Sequence, residues 1–329
     1  MTETLNQPQS QFQSRSATGV YPVLPTPFDE LKTPDVQGLR TLVRYLLKSG
    51  VDGMTYPGVA SEFSQLSEQE RRELTAVVLH ETAGRVPVIA GVTSSDIAVT
   101  LRLATEALKG GAFALMIAAQ PDRKTAAEQI AYFSDITRAL PEAIIMLQNV
   151  PPPVGAGLDP EVVVEILKAV PAIRYVKEEA LPSGQRLSLI LAAAPKSLSG
   201  VFGGAGGRYI TDELRRGACG TMPAIELAEV HVALFSAHRT GHSAMVRKVF
   251  TRMLPVLNIQ AVFRWSLTKY VLKRRGLIGS AMQRIAGPTL DSLDEQDVDA
   301  FLGDLDDLLL PQSALNDVIR RKEVVHGAA

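Results

Sequence analysis

Lys177 stands in the run Ile173-Arg174-Tyr175-Val176-Lys177-Glu178-Glu179. Strand alternation along that run puts Tyr175, Lys177 and Glu179 on one face. If that face lines an apolar interior, burial disfavours the ammonium and favours a neutral amine, the nucleophile that forms an imine with a 2-oxo acid. The alternative is a lysine that snorkels from a strand end into water while Glu178 and Glu179 hold its charge. Glu62 and Glu179 are acids among the polar residues at the ends of apolar runs. Thr26, Ser61, Gln148 and Asn149 stand at the ends of apolar runs, where their side chains can hydrogen-bond a ligand. The segment Gly203-Gly204-Ala205-Gly206-Gly207-Arg208-Tyr209 offers Gly204 as a close backbone approach and Arg208 as a guanidinium for a carboxylate, or else is only a tight turn. None of His80, His231, His238, His242 and His326 falls at such a run's end, and Cys219 is the one cysteine. A histidine metal site, a Ser-His-Asp relay and a multi-cysteine zinc motif are therefore unsupported, and no cofactor is expected.

These residues need elements to hold them. Short apolar or β-branched runs occur at 19–28, 51–58, 86–93, 113–119, 143–150, 173–179, 197–204 and 220–224, separated by amphipathic stretches. Ser67-Glu68-Gln69-Glu70 is a capping box that opens a helix with Leu74, Val77 and Val78 on one face and a stop at Gly84. Ile97, Leu101, Ala104 and Leu108 form the stripe of the next helix, before Gly110-Gly111. Eight such units over about 220 residues predict a (β/α)8 barrel, whose site lies at the C-terminal strand ends. A doubly wound sheet is the alternative, but Thr26-Pro27-Phe28-Asp29-Glu30-Leu31 stands where a Gly-x-Gly-x-x-Gly fingerprint belongs. The organisation expected is a flexible Gln- and Ser-rich tail over 1–17, a barrel over 18–235, a helical domain over 236–312 separated by Gly and Pro, and a tail over 313–329. Lys273-Arg274-Arg275 before Gly276 reads as a complement to a helix C-terminal dipole rather than a binding patch.

Of 329 residues, 34 are Lys or Arg and 35 Asp or Glu, a net charge of -1, which gives no electrostatic case for nucleic acid or an anionic membrane. No apolar run approaches the roughly 18 residues that span a bilayer, and the first residues lack a secretory signal's apolar stretch. A lone cysteine suits a reducing compartment, so a cytoplasmic protein is expected.

Gly19-Val20-Tyr21-Pro22-Val23-Leu24-Pro25-Thr26-Pro27-Phe28, the segment 58–71, Leu147-Gln148-Asn149-Val150-Pro151-Pro152-Pro153-Val154-Gly155 and Tyr175-Val176-Lys177-Glu178-Glu179 resemble, in order and spacing, the dihydrodipicolinate synthase and N-acetylneuraminate lyase family, over roughly residues 19–310. The resemblance implies a (β/α)8 barrel with a C-terminal helical domain, a homo-oligomer (tetramer or dimer), and a Schiff base between Lys177 and a small-molecule 2-oxo acid. The chain also departs from that pattern. Gly58-Val59-Ala60-Ser61-Glu62 replaces the synthase's Gly-Thr-Thr-Gly-Glu, Gln148 replaces its tyrosine, and Pro153 stands where its carboxylate-binding arginine belongs. A glutamine amide cannot shuttle a proton as a phenol can, which argues against dihydrodipicolinate synthesis. The pattern is more similar to the branch of 2-keto-3-deoxy sugar acid dehydratases, which implies Glu62, Glu179 or a bound water doing the acid and base work, Gln148 and Asn149 facing sugar hydroxyls, dehydration or aldol cleavage both open, and Arg208 in place of the missing arginine. The apolar Val59 and Ala60 keep a less hydroxylated or aromatic 2-oxo acid as the alternative, and a catalytically silent small-acid-binding barrel as the competing class.

Overall fold

The computed structural model describes residues 16–320; residues 1–15 and 321–329 of the two expected tails lie outside them. Eight strands, β1 (Gly19–Val20), β2 (Met54–Tyr56), β3 (Val88–Gly91), β4 (Ala114–Ala118), β5 (Ile145–Asn149), β6 (Ile173–Glu178), β7 (Gly200–Gly203) and β8 (Gly220–Thr221), form one sheet in the order β1-β8-β7-β6-β5-β4-β3-β2. Every pairing is parallel. The ring closes through an isolated bridge from Val23 to Thr55, with Val23 bridging Ala224 on its other side. The first run is thus interrupted as a ladder because Pro22, Pro25 and Pro27 have no N–H to give it. The expected (β/α)8 barrel is the observed architecture.

Helices α1 (Val36–Ser49), α2 (Glu68–Thr82), α3 (Ile97–Lys109), α4 (Ala126–Ala139), α5 (Pro160–Ala169), α6 (Ser183–Ala193), α7 (Ile210–Arg215) and α8 (Ala228–Arg239) follow the strands. In α2 the capping box forms as read: Ser67 Oγ accepts from Glu70 N, and Glu70 returns a carboxylate oxygen to Ser67 N at 2.8 Å. In α3 the buried stripe is Thr100, Leu103, Ala104 and Ala107. Ile97, Leu101 and Leu108 only flank it, since the face is displaced around the axis by about one residue from the apolar spacing.

Inside the ring, Tyr21, Met116, Met146, Tyr175, Phe202 and Met222 pack together. The Tyr21 and Phe202 rings meet edge to face at 5.3 Å, and Tyr175 stands 6.0 Å from Phe202. Ala17, expected in the tail, is buried and donates its N–H to the Tyr175 hydroxyl at 2.8 Å. This packed floor leaves only the C-terminal strand ends open to a ligand.

The chain leaves α8 at Thr240–Gly241 rather than at 235, so the expected domain boundary cuts a helix. Beyond it lie α9 (Ser243–Phe263), α10 (Trp265–Arg274), α11 (Ser292–Gly303) and α12 (Gln312–Arg320). Two corrections follow. The helices expected to be separated by Gly and Pro include α9 and α10, which part at Arg264, neither Gly nor Pro, while Pro255 lies inside α9. Residues 313–320, expected as tail, belong to α12, where Leu315 and Val318 at three-residue spacing are buried in the cluster that holds Leu39, Leu42 and Leu46 of α1. The Lys273-Arg274-Arg275 run also divides, because Arg274 meets Asp299 while buried Arg275 pairs with Glu229 at 2.7 Å. Among the described residues no helix is long and apolar enough to cross a membrane.

Candidate active site

β5 and β6 place the central groups. Their register sets Gln148 opposite Lys177 and Met146 opposite Tyr175, so the two polar side chains sit one layer above the apolar floor. Lys177 is 3% exposed. Its Nζ lies 3.0 Å from Glu179 Oε1, and Gln148 Nε2 donates to that same oxygen at 2.7 Å. Glu179 Oε2 receives the Ala205 N–H at 3.4 Å. Lys177 therefore does not snorkel to water. It lies in the wall of a cavity of about 340 Å³ together with Glu179, Arg208, Tyr209, Met222 and Thr268.

Gly204 makes that geometry possible, since a Cβ there would meet Glu179 Cγ at 2.4 Å. The loop after it turns through Gly206 and Gly207 at φ values of 71° and 80°, which side-chain-bearing residues rarely adopt, and so brings Arg208 to the cavity wall. Arg208 Nη1 donates to Gln260 Oε1 at 2.9 Å.

Other expected site residues lie elsewhere. Asn149 follows Gln148 on the strand and faces outward, where its amide bonds Leu158 N, Leu158 O and Glu178 Oε2 at 2.7, 2.9 and 2.8 Å. Glu178, on that same outer face, meets Arg186 at 3.3 Å, and burial raises its carboxyl above the ordinary range. Ser61 receives the Gly58 N–H at 2.8 Å and donates to Leu24 O. Thr26 shares a 3.0 Å hydrogen bond with Tyr56 Oη and donates to Ser61 O at 2.8 Å. Both hydroxyls fasten the loop after β2 to the loop after β1. Glu62 has φ 56°, and this left-handed turn aims its carboxylate away from the cavity. There it pairs with fully buried Lys269 of α10 and accepts the Arg284 and Ile285 N–H groups at 2.7 and 2.8 Å.

The missing wall comes from sequence-distant residues. Gln260, Arg264, Trp265 and Thr268, at the end of α9 and the start of α10, line the cavity opposite the proline-rich loop of Pro151, Pro152 and Pro153. Trp265 Nε1 donates to Val59 O at 2.9 Å, which locks its ring. Behind Thr268 lies Glu226, whose carboxylate accepts the Thr268 hydroxyl at 3.0 Å and which burial pushes up to about 7. The only sequence signal for Glu226 is an acid within the apolar run Met222-Pro223-Ala224-Ile225-Glu226-Leu227. Among the described residues no cluster of three or more His, Cys, Asp or Glu could hold a metal. The arrangement supplies one amine, one adjacent carboxylate, two guanidiniums in Arg208 and Arg264, the polar side chains of Tyr209, Gln260 and Thr268, and a remainder that is largely apolar.

The model of the dihydrodipicolinate synthetase family matches residues 16–302. The chain belongs to that family. A 4-hydroxy-tetrahydrodipicolinate synthase of Methanopyrus kandleri is 39% identical over 162 residues, 49% of this chain and 54% of that protein. The protein of the same name from Bacillus subtilis is 32% identical over 171 residues, 52% of this chain and 59% of its own length. The chain thus spans little more than half the length of these curated relatives. The crystal structure of a dihydrodipicolinate synthase from Rhodopseudomonas palustris aligns with a TM-score of 0.81 at 26% identity, covering 88% of this chain and 98% of that one. Lys177, on which the sequence resemblance partly rests, lies within β6 (Ile173–Glu178).

Proposed function

We propose that the protein is a Schiff-base lyase of the aldolase or hydratase type, in which Lys177 Nζ attacks C2 of a 2-oxo acid. Loss of water from the carbinolamine gives an iminium, which acidifies the C3 protons and makes the C3–C4 bond cleavable. Glu179 is the carboxylate within contact of the amine, and it can take the proton that Nζ sheds and return one during collapse of the carbinolamine. Gln148 positions Glu179 and takes no proton itself. The observation that carries this reading is the buried Lys177–Glu179 pair in the cavity wall, above a solid barrel floor. Family membership supports it. We place such an enzyme in the cytoplasm and expect it to self-associate, as members of the family are expected to do; sedimentation of the full chain tests that association.

The wall favours a substrate poor in hydroxyls over a sugar acid. The sugar-acid expectation rests on Gln148 and Asn149 reaching hydroxyls, but Gln148 is held by Glu179 and Asn149 faces outward. Val23, Val59, Ala60, Val150, Leu181 and the three prolines stand in their place. Incubation with 2-keto-3-deoxy pentonates and hexonates alongside alkyl and aryl 4-hydroxy-2-oxo acids tests this. Pyruvate release from the second set at a kcat/KM at least about tenfold above the first is the expected result, and the reverse order restores the sugar acid.

Two further outcomes follow from the same site. Condensation of pyruvate with aspartate semialdehyde is expected to run about 10²–10⁴-fold below an ordinary enzyme's rate, because Val59, Ala60, Gln148 and Pro153 replace the groups that the resemblance requires for it. Turnover at tens per second refutes this. Arg208→Ala is expected to raise KM about tenfold or more, through loss of a carboxylate partner, with the circular dichroism spectrum unchanged. An unaltered KM assigns Arg208 to its Gln260 contact alone.

A further inference from the structure

The cavity wall holds three basic side chains, Lys177, Arg208 and Arg264, and one acidic side chain, Glu179. A single substrate carboxylate on Arg208 leaves Arg264 uncompensated. Among the described residues no hydrogen bond or ion pair engages the Arg264 guanidinium, whose recorded contact is the Trp265 ring at 5.6 Å. Its backbone is also costly. At φ 41° and ψ -106° it occupies a region that a residue with a Cβ enters only against strain, at the point where α9 breaks into α10. Neither glycine nor asparagine fills this position, so the strained turn carries a long cation at the cavity's exposed rim.

Resting on the lyase reading above, we propose that the α9–α10 junction forms a second anion subsite, in which Arg264 receives a carboxylate at the far end of an extended 2-oxo acid. The immobilised Trp265 ring and the proline-rich loop cover the apolar middle of such a molecule. The substrate class is therefore an acid at both ends with few hydroxyls between them. Arg264 acts on specificity and touches no reacting atom.

The test uses adipate and hexanoate, which differ in the second carboxylate alone and form no imine, titrated calorimetrically into the full chain at low ionic strength. Adipate is expected to bind about two- to fivefold tighter than hexanoate, the upper part of the range for an exposed ion pair. Arg264→Ala should bring the two to parity, and Arg264→Lys should keep part of the difference. Arg264→Gly relaxes the turn while removing the cation, so it should also reach parity without a lower melting temperature. Equal binding by the wild type, or a preference that survives Arg264→Ala and Arg264→Gly, overturns the proposal. Borohydride trapping of pyruvate on each variant judges the lyase reading separately: failure of trapping in the wild type removes that reading, while the adipate-to-hexanoate ratio still decides the subsite.

Discussion

Lys177→Ala is expected to abolish borohydride trapping of pyruvate and to lower turnover by on the order of 10⁵-fold, the loss typical when the covalent nucleophile itself is removed. The effect is this large because the cavity wall contains no second amine. Lys269 is the other deeply buried lysine, and burial lowers it to about 8. It is nevertheless fully enclosed, pairs with Glu62, donates to Met282 O at 2.7 Å and lies 4.3 Å from the centre of the Phe28 ring. It does not line the cavity. Lys177→Arg sharpens the test, since it keeps a cation beside Glu179 but cannot form the imine. Peptide mass spectrometry of the trapped wild type should place the mass increment of reduced pyruvate on Lys177. An increment on another lysine, or trapping that persists in Lys177→Ala, sinks the Schiff-base assignment.

Glu62→Ala is expected to cost about 3–5 kcal/mol of stability, because it leaves the Lys269 ammonium buried without its counter-charge and frees the Arg284 and Ile285 N–H groups from their acceptor. Chemical denaturation read by circular dichroism measures this. The double variant Glu62→Leu with Lys269→Met should recover much of the loss, since replacing both members of a buried pair by apolar groups of similar size is often close to neutral. For the fraction that stays folded, kcat should fall less than about tenfold, as Glu62 does not line the cavity. A kcat loss of about 10³-fold at unchanged stability would instead make Glu62 a proton-transfer group.

The barrel is legible because it rests on short periods, whereas for Lys177 the period gives a face and leaves burial or snorkelling open. Alternation put Tyr175, Lys177 and Glu179 on one face, and the structure keeps Tyr175 and Lys177 there with Glu179 in contact. The same alternation excludes naming Gln148 and Asn149 together, since adjacent residues of a strand face opposite sides. Glu62 followed a different logic: its direction depends on a single positive φ, which an acid's identity does not reveal. The wall from Gln260 to Thr268 was illegible because its apolar spacing is that of any packed helix. Only the docking of α9 and α10 over the strand ends turns those residues inward. The α9–α10 break at Arg264 has no breaker residue to announce it, whereas Pro255, which looks like one, lies within α9.

That junction belongs to a different part of the chain from the Lys177–Glu179 pair. The amine, its carboxylate and the glycine turn belong to β6 and the loop after β7, while the rim from Gln260 to Thr268 is contributed by helices outside the strand ring. Substitutions at 260, 264 and 265 can therefore alter what enters the cavity without touching a strand register or the Lys177–Glu179 pair. Descendants of such a chain can diverge in diet while their chemistry, and the folding of the barrel that performs it, stay under separate selection.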